Sequence, residues 1–292
     1  MSDETPQRGR RRAGVIGKPI GHSLSPAMQN AAFKAVGLAA WYEAIELEPE
    51  EAPAFFQILR QPGWLGVNVT VPHKETAARL VDRQSAEAAR AGAVNTVVCV
   101  DGELIGHNTD IAGFLRALLE DAKFNPDGRR AVVVGAGGAA RACVVALAAS
   151  VVSVTVVNRD VERAARLVAT LGEPTVNHAT GLAALTAIRD ADLLVNATSV
   201  GMQGGPAPDG LPIPDGWLPD HGLVYDLVYR PMETPLLRAA RSAGLQTLDG
   251  LAMLVYQGAA AFELWTGRAA PIERMRAAAL ARVEEASACS DS

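Results

Sequence analysis

The sequence predicts an α/β protein of two domains, one of them built on a doubly wound parallel sheet. Three observations predict it. Strand and helix patterns alternate over about the first hundred residues, the alternation restarts near residue 110, and the restarted half carries a glycine-rich turn between an apolar strand and an apolar helix. A chain of 292 residues is long enough to bury two cores.

In the first half, residues 14–17 read as a short strand. Ser25-Pro26 opens a helix, with the serine as N-cap, the proline in the first turn and Gly37 as the stop. A strand at 42–47, a helix at 50–60 and a buried strand at 65–69 follow, and the next helix begins near His73. Residues 94–100 and 103–106 flank Asp101-Gly102, a dipeptide suited to a tight hairpin.

In the second half, 110–121 is a helix, 125–128 (Asn-Pro-Asp-Gly) a breaker and 131–134 a strand. The glycine turn leads into a helix to about Ala149, then a strand at 152–157 and a helix at 161–171. Strands at 193–195 and 224–228 continue the sheet, and the Gly- and Pro-rich segment 204–219 is expected to be a mobile loop beside a site. Residues 250–265 and 271–285 are helical, with Gly267 as the stop. Having no strand of their own, they are expected to return to the first domain.

Composition removes several classes of function. With 32 acidic and 27 basic side chains the net charge is −5, which argues against a mainly electrostatic hold on nucleic acid. Cys99, Cys143 and Cys289 lie far apart without a CxxC pair. Neither a disulfide framework nor a zinc knuckle is expected, and the cytoplasm is the expected compartment. The five histidines form no pair at metal-ligand spacing, so no metal is expected. The basic run ending at Arg12 has no apolar stretch behind it, which predicts a solvated tail over residues 1–12. The longest uncharged apolar stretch, 142–157, falls short of the roughly 18–20 residues that span a bilayer. No membrane partner is expected.

The glycine turn carries the first chemistry. Residues 132–140 read VVVGAGGAA: Gly135 permits the tight turn, Gly137 lets the backbone approach a pyrophosphate, and Ala140 keeps helix and sheet close. Ala136, Gly138 and Ala139 complete the loop, and the helix N-terminus supplies amide donors. The following strand ends in Asn158-Arg159, with Arg163 one turn later, where an NAD site carries an acid for the ribose hydroxyls. Two guanidinium forks suit a 2′-phosphate, at about 1.5–3 kcal/mol for each charge-assisted contact. Asp160 would repel that phosphate if it pointed inward; it is read as a helix N-cap facing solvent. NADP is the expected cofactor.

Polar residues gather in the other half. Thr70 and Lys74 lie at the C-terminal end of a strand, where open α/β sheets place ligands. Asn95 and Thr96, then Asn108, Thr109 and Asp110, each put an amide and a hydroxyl together. One at a time these residues have ordinary explanations. Lys74 reads as an exposed first-turn lysine, Asp110 as an acid favoured by a helix dipole, Ser23 and Ser25 as caps, and Gln257 as a solvated mid-helix position. Their accumulation beside a cofactor domain points to a polar ligand.

Together these segments resemble the shikimate dehydrogenase family over nearly the whole chain. The resemblance runs through SLSP (23–26), NVTVPHK (68–74), GAVNT (92–96), GHNTD (106–110) and GAGGAA (135–140). It continues through NR (158–159), NATSVGM (196–202), DLVYRPMETPLL (226–237) and DGLAMLVYQGAAAFELWTG (249–267). It implies reversible, NADPH-dependent reduction of 3-dehydroshikimate to shikimate in the biosynthesis of chorismate and aromatic amino acids. It also implies a substrate domain over 13–109 and 249–292, with a Rossmann cofactor domain over 110–248. On the resemblance, Lys74 and Asp110 form the catalytic pair, and Ser23 and Ser25 hold the substrate carboxylate with Tyr229. Thr70, Lys74, Asn95, Asp110 and Gln257 bind the ring hydroxyls. Thr198, Leu227, Gly250 and Met253 join the glycine loop in holding the cofactor, the last two lining the nicotinamide pocket. Three rivals remain: an NAD-linked quinate/shikimate dehydrogenase, an aminoshikimate dehydrogenase, and a non-catalytic metabolite sensor. The sensor is disfavoured by the presence of both Lys74 and Asp110. A monomer and a homodimer both fit the sequence.

Overall fold

Arg11 and Arg12, expected as the end of a tail, instead head the first strand, β1 (Arg11–Gly17). Partners on both sides draw them into a sheet: Arg11 N–H donates to Ala39 O, and Arg12 N–H to Gly63 O. The Arg12 guanidinium lies 4.4 Å from the centre of the Trp64 ring and bonds Glu43 at 2.8 Å, so the cation covers an aromatic face while it is paired with a carboxylate. The computed structural model describes residues 11–151 and 153–288, with 286–288 by backbone only. The rest of the expected tail, Val152 and Cys289 lie outside the described residues.

After β1 come α1 (Ser25–Ala35), β2 (Ala40–Glu46), a 3-10 turn leading into α2 (Ala52–Leu59), β3 (Trp64–Val69), α3 (Lys74–Leu80), β4 (Arg83–Gln84) and α4 (Ala86–Ala91). The expected hairpin follows as β5 (Thr96–Val100) and β6 (Glu103–His107), paired antiparallel. Asp101 (φ 50) and Gly102 (φ 85) both take left-handed backbone, as a two-residue turn matching strand twist requires. Next are α5 (Thr109–Arg116), which runs on through a π-helical turn, β7 (Arg130–Val134), α6 (Gly138–Ala148), β8 (Ser153–Val157) and α7 (Val161–Leu171). The chain ends with β9 (Val176–His178), α8 (Gly181–Arg189), β10 (Leu193–Asn196), β11 (Leu223–Asp226), α9 (Pro235–Ser242), β12 (Gln246–Leu248), α10 (Leu251–Thr266) and α11 (Ile272–Ala288).

These elements form two compact units. The first holds the described residues up to 89, then 93–109 and those from 258; the second holds 90–92 and 110–257. The second unit therefore runs to Gln257, inside α10, rather than stopping at 248.

In the first unit the strand order is β2-β1-β3-β5-β6-β4, parallel around β1 and antiparallel through the hairpin. Phe55, Phe56, Leu59 and Trp64 pack with Val67, Val69 and Val97 in one apolar cluster. The last helices do come back to this unit: Phe262 lies 5.6 Å from Phe33, and α11 runs against α1. Gly66 (φ 149) is required there. A Cβ at that position would sit 1.9 Å from Val97 O and 2.5 Å from Trp265 Nε1, and its absence lets Trp265 donate to Val97 O at 3.0 Å.

The second unit is a six-stranded, all-parallel sheet in the order β12-β11-β10-β7-β8-β9. The chain enters at central β7, steps outward to β8 and β9, then crosses back to β10 and out to β12. That reversal puts a topological switch point between β7 and β10, where open sheets of this kind bind ligands. Segment 204–219, expected as a mobile loop, lays Ile213, Leu211, Trp217 and Leu218 against the apolar cluster under β7, β10 and β11.

Candidate functional site

The cofactor candidates share the C-terminal edge of the second sheet. Gly135 leaves β7 with φ 121, its N–H donating to Val157 O at the end of β8. A Cβ there would lie 2.9 Å from Ala197 O and 3.2 Å from Thr198 Cγ2, so the glycine loop and the segment after β10 meet across the switch point. Gly137 differs: a side chain added to it would meet no atom within 4 Å. It caps the N-terminus of α6, whose first turn carries no acid. Open space over bare backbone at the positive end of a helix fits a pyrophosphate. Ala140 is fully buried, as close packing of helix on sheet requires.

At the end of β8, Asp160 is the N-cap of α7, its Oδ1 accepting from Arg163 N–H at 3.0 Å, while Asn158 Nδ2 donates to Asp160 O at 2.9 Å. The carboxylate is thus spent on the helix, and the Arg159 and Arg163 side chains are exposed. Asp160→Ala is expected to lower stability by about 1 kcal/mol in a thermal or urea melt, without changing the choice between NADP and NAD. Further along the edge, Gly250 sits so close to Leu227 that a Cβ would lie 2.1 Å from Leu227 O. Met253 is buried on the first turn of α10, and Tyr229 is half-buried two residues after Leu227.

Behind this edge lies a buried polar hub that sequence reasoning did not single out. Asp226 Oδ1 accepts from Asn196 Nδ2 at 2.9 Å and from Val228 N–H at 3.0 Å, and Oδ2 accepts from the Thr234 hydroxyl at 2.7 Å. Asn196 in turn accepts from Thr198 N–H and the Thr198 hydroxyl. Asp226, Asn196 and Thr234 are all fully buried. Burial pushes the Asp226 carboxyl up to about 6, against the pull of its three donors. Asp226 and Thr234 lie inside one of the sequence segments quoted for the resemblance, but nothing in their spacing announces a shared hydrogen-bond centre.

The substrate candidates gather in the first unit. Ser25 is not the N-cap expected of it: Leu24 takes that position without a side-chain bond, and Ser25 is the first helical residue. The residue is buried, and its N–H donates to Ser23 Oγ at 3.2 Å. Thr70 and Lys74 share the turn between β3 and α3, tied down by Thr70 N–H to Ile16 O, His73 N–H to Thr70 O, and Val94 N–H to Lys74 O. His73 is buried, with Nε2 2.8 Å from Leu47 O. Lys74 is half-buried rather than exposed. Asn95 is buried and fixed on both amide atoms: Oδ1 accepts from Thr109 N–H at 2.7 Å, and Nδ2 donates to Thr109 Oγ1 at 3.0 Å.

Asp110 and Gln257 pack with the second unit. Asp110 is buried at the start of α5. Gln257, which alone would read as solvated, is also buried, its Nε2 donating to Leu254 O at 2.9 Å. A Cβ at Gly113 would lie 2.7 Å from Gln257 N, so α5 and α10 cross closely at that residue. Among the described residues no cluster of histidine, cysteine or acidic side chains could hold a metal ion, and no helix is long and apolar enough to cross a membrane.

Comparison with known proteins agrees with this arrangement unit by unit. Residues 15–97 match the family model of the shikimate dehydrogenase substrate binding domain, 118–202 that of shikimate/quinate 5-dehydrogenase, and 250–280 that of the shikimate 5′-dehydrogenase C-terminal domain. The shikimate dehydrogenase (NADP(+)) of Symbiobacterium thermophilum is 47% identical over 93% of this chain and 94% of its own length. The crystal structure of Thermus thermophilus shikimate 5-dehydrogenase in complex with NADP(H) and shikimate is 42% identical, with a TM-score of 0.84 over 93% of this chain and 99% of that one. A quinate dehydrogenase from Corynebacterium glutamicum in complex with NAD is more distant in sequence, at 33% identity, with a TM-score of 0.82 over 93% of this chain and 99% of that one. Matches of this extent to both halves, over a glycine loop and a polar cluster of the expected kinds, place the chain in the shikimate dehydrogenase family.

Proposed function

We propose that this chain catalyses the reversible, NADPH-dependent reduction of 3-dehydroshikimate to shikimate, in the biosynthesis of chorismate and aromatic amino acids. The observation that carries this reading is the buried polar cluster of Asn95, Thr96 and Thr109 beside the Lys74 turn. It offers hydroxyls, an amide and an ammonium for a small, polyhydroxylated acid, in the same chain as an open glycine loop. NADPH, when bound, supplies the hydride. Lys74 donates a proton to the ketone oxygen as it becomes a hydroxyl, and takes it back in the reverse direction, with Asp110 as its acidic partner. Ser23, Ser25 and Tyr229 hold the carboxylate, and Thr70, Asn95 and Gln257 the ring hydroxyls. Gly135 to Ala140 receive the pyrophosphate, Thr198 and Leu227 also hold the cofactor, Gly250 and Met253 line the nicotinamide pocket, and Asn158, Arg159 and Arg163 take the 2′-phosphate. The cytoplasm is the proposed compartment, in keeping with Cys99 as a free thiol.

The test crosses shikimate and quinate with NADP⁺ and NAD⁺, following the absorbance of the reduced nicotinamide. Turnover confined to shikimate with NADP⁺ supports the proposal. Strong quinate turnover with NAD⁺ moves the chain to the quinate branch, and silence in all four mixtures refutes both readings. Arg159→Ala is expected to raise the KM for NADP⁺ roughly tenfold or more, as one charge-assisted contact is worth, and to leave the KM for NAD⁺ unchanged. Equal effects on the two cofactors refute the 2′-phosphate assignment.

A further inference from the structure

The hydrogen bonds of the buried hub behind the cofactor edge run in one direction. A backbone N–H only donates, and that of Val228 donates to Asp226 Oδ1, so this oxygen is an acceptor. Asn196 meets the same oxygen at 2.9 Å and the Val200 carbonyl at 3.2 Å, and two acceptors on one side demand its NH₂ group. Its amide oxygen is therefore turned the other way, where Thr198 N–H donates to it at 3.0 Å. The flipped amide would set oxygen against a carboxylate and a carbonyl, and NH₂ against an N–H.

Thr198 inherits this direction. Its hydroxyl lies 2.7 Å from Asn196 Oδ1, an acceptor, so the hydroxyl proton points inward. Val200 N–H donates to the same hydroxyl oxygen at 3.1 Å and takes one of its two lone pairs. What Thr198 can offer a ligand is the other lone pair, without a proton. The residue is half-buried on the segment that meets the glycine loop, its Cγ2 3.2 Å from where a Cβ at Gly135 would stand. Asn196 is fully buried, and its backbone oxygen accepts from Leu227 N–H at 3.0 Å, so the amide that sets the direction is itself fixed.

We propose that Asn196, oriented by Asp226, is a positioning residue for cofactor binding: it draws the Thr198 proton inward, and Thr198 meets the dinucleotide as a hydrogen-bond acceptor. Its partner is then a donor, a sugar hydroxyl or the carboxamide N–H. It is not an ionised phosphate, whose oxygens only accept. The inference rests on the reading of Thr198 as a cofactor contact.

The experiment measures the Kd of NADPH by calorimetry for Thr198→Val, Thr198→Ser, Asn196→Ala and the double variant Asn196→Ala/Thr198→Val, with a thermal melt of each. Thr198→Val is expected to weaken NADPH about 3- to 10-fold, the worth of one neutral hydrogen bond, and Thr198→Ser to recover the loss. Asn196→Ala should weaken it by a similar factor. The double variant should be no weaker than either single one, since Asn196 acts through the hydroxyl. Tighter binding in Asn196→Ala, as a freed proton reaching a phosphate would give, overturns the proposal; so do unchanged binding and multiplying effects. A loss well above roughly tenfold in Thr198→Val, the worth of a charge-assisted contact, also overturns it, and this arm stands even if Asn196→Ala folds poorly. Thr198→Val binding like the parent overturns the Thr198 contact together with the proposal, whereas a parent that binds no NADPH overturns the whole cofactor reading. The reduced acetylpyridine analogue of NADPH lacks the carboxamide N–H. A Thr198→Val loss that vanishes with it supports the carboxamide as the donor, and a loss that persists supports a sugar hydroxyl.

Discussion

Lys74→Ala is expected to lower kcat by about 10²- to 10⁴-fold, the usual worth of a positioned general acid, while NADP⁺ still binds with unaltered affinity. The two halves of this expectation come from different parts of the chain. Lys74 is the first residue of α3, its carbonyl tied to Val94 N–H and the turn before it tied to Ile16 O, so truncating the side chain leaves the backbone of the turn in place. The glycine loop and the arginines after β8 belong to the second unit, and Lys74 to the first. Stopped-flow or steady-state turnover, with cofactor affinity from nicotinamide fluorescence, reads both. Turnover within a few-fold of the parent refutes proton donation by Lys74. Loss of cofactor binding would mean that the variant had disturbed more than the chemical step.

What the sequence reveals about this site, and what it hides, follows from the range of the interactions. The strand, glycine turn and helix at 130–148 are local in sequence, and they fold as their residues prescribe; so does the Asp101-Gly102 hairpin. Asp160 is a local matter too, since an N-cap reaches only three residues ahead, and its side chain is found there. Ser25 shows the limit. A serine before a proline is a good cap by local rules, but here Leu24 takes the N-cap position and Ser25, the first helical residue, is buried instead of capping. Edge strands β4, β9 and β12 span two or three residues, too few for a period to register, and exist because a neighbouring strand offers its backbone. Arg12 reads as tail for the same reason: its side-chain partners, Trp64 and Glu43, lie more than thirty residues away.

Asp226 lies furthest from local legibility, and it carries the second large expectation. Its carboxyl is pushed from the ordinary 3.8 up to about 6, so the folded protein keeps a proton that the unfolded chain has already lost. The sign follows from that. The stabilising contribution of this group is fully present below about pH 4, declines as pH rises through 6, and is gone above it. A shift of roughly two units makes the decline about 3 kcal/mol. Asp226→Asn cannot ionise, so the stability difference between variant and parent should move in the variant's favour by about that amount from pH 4 to pH 7, in urea melts at each pH. The introduced amide can still accept from Asn196 and Val228 N–H through its oxygen, and its NH₂ faces the Thr234 hydroxyl, which can turn to accept. Asp226→Ala keeps none of these bonds and strands three buried donors, at about 1–3 kcal/mol each. It should be the less stable of the two variants at every pH, with the pH-dependent part removed as in Asp226→Asn. A parent-like pH slope in both variants would show that the carboxyl titrates at its ordinary value, with its three donors outweighing the cost of burial.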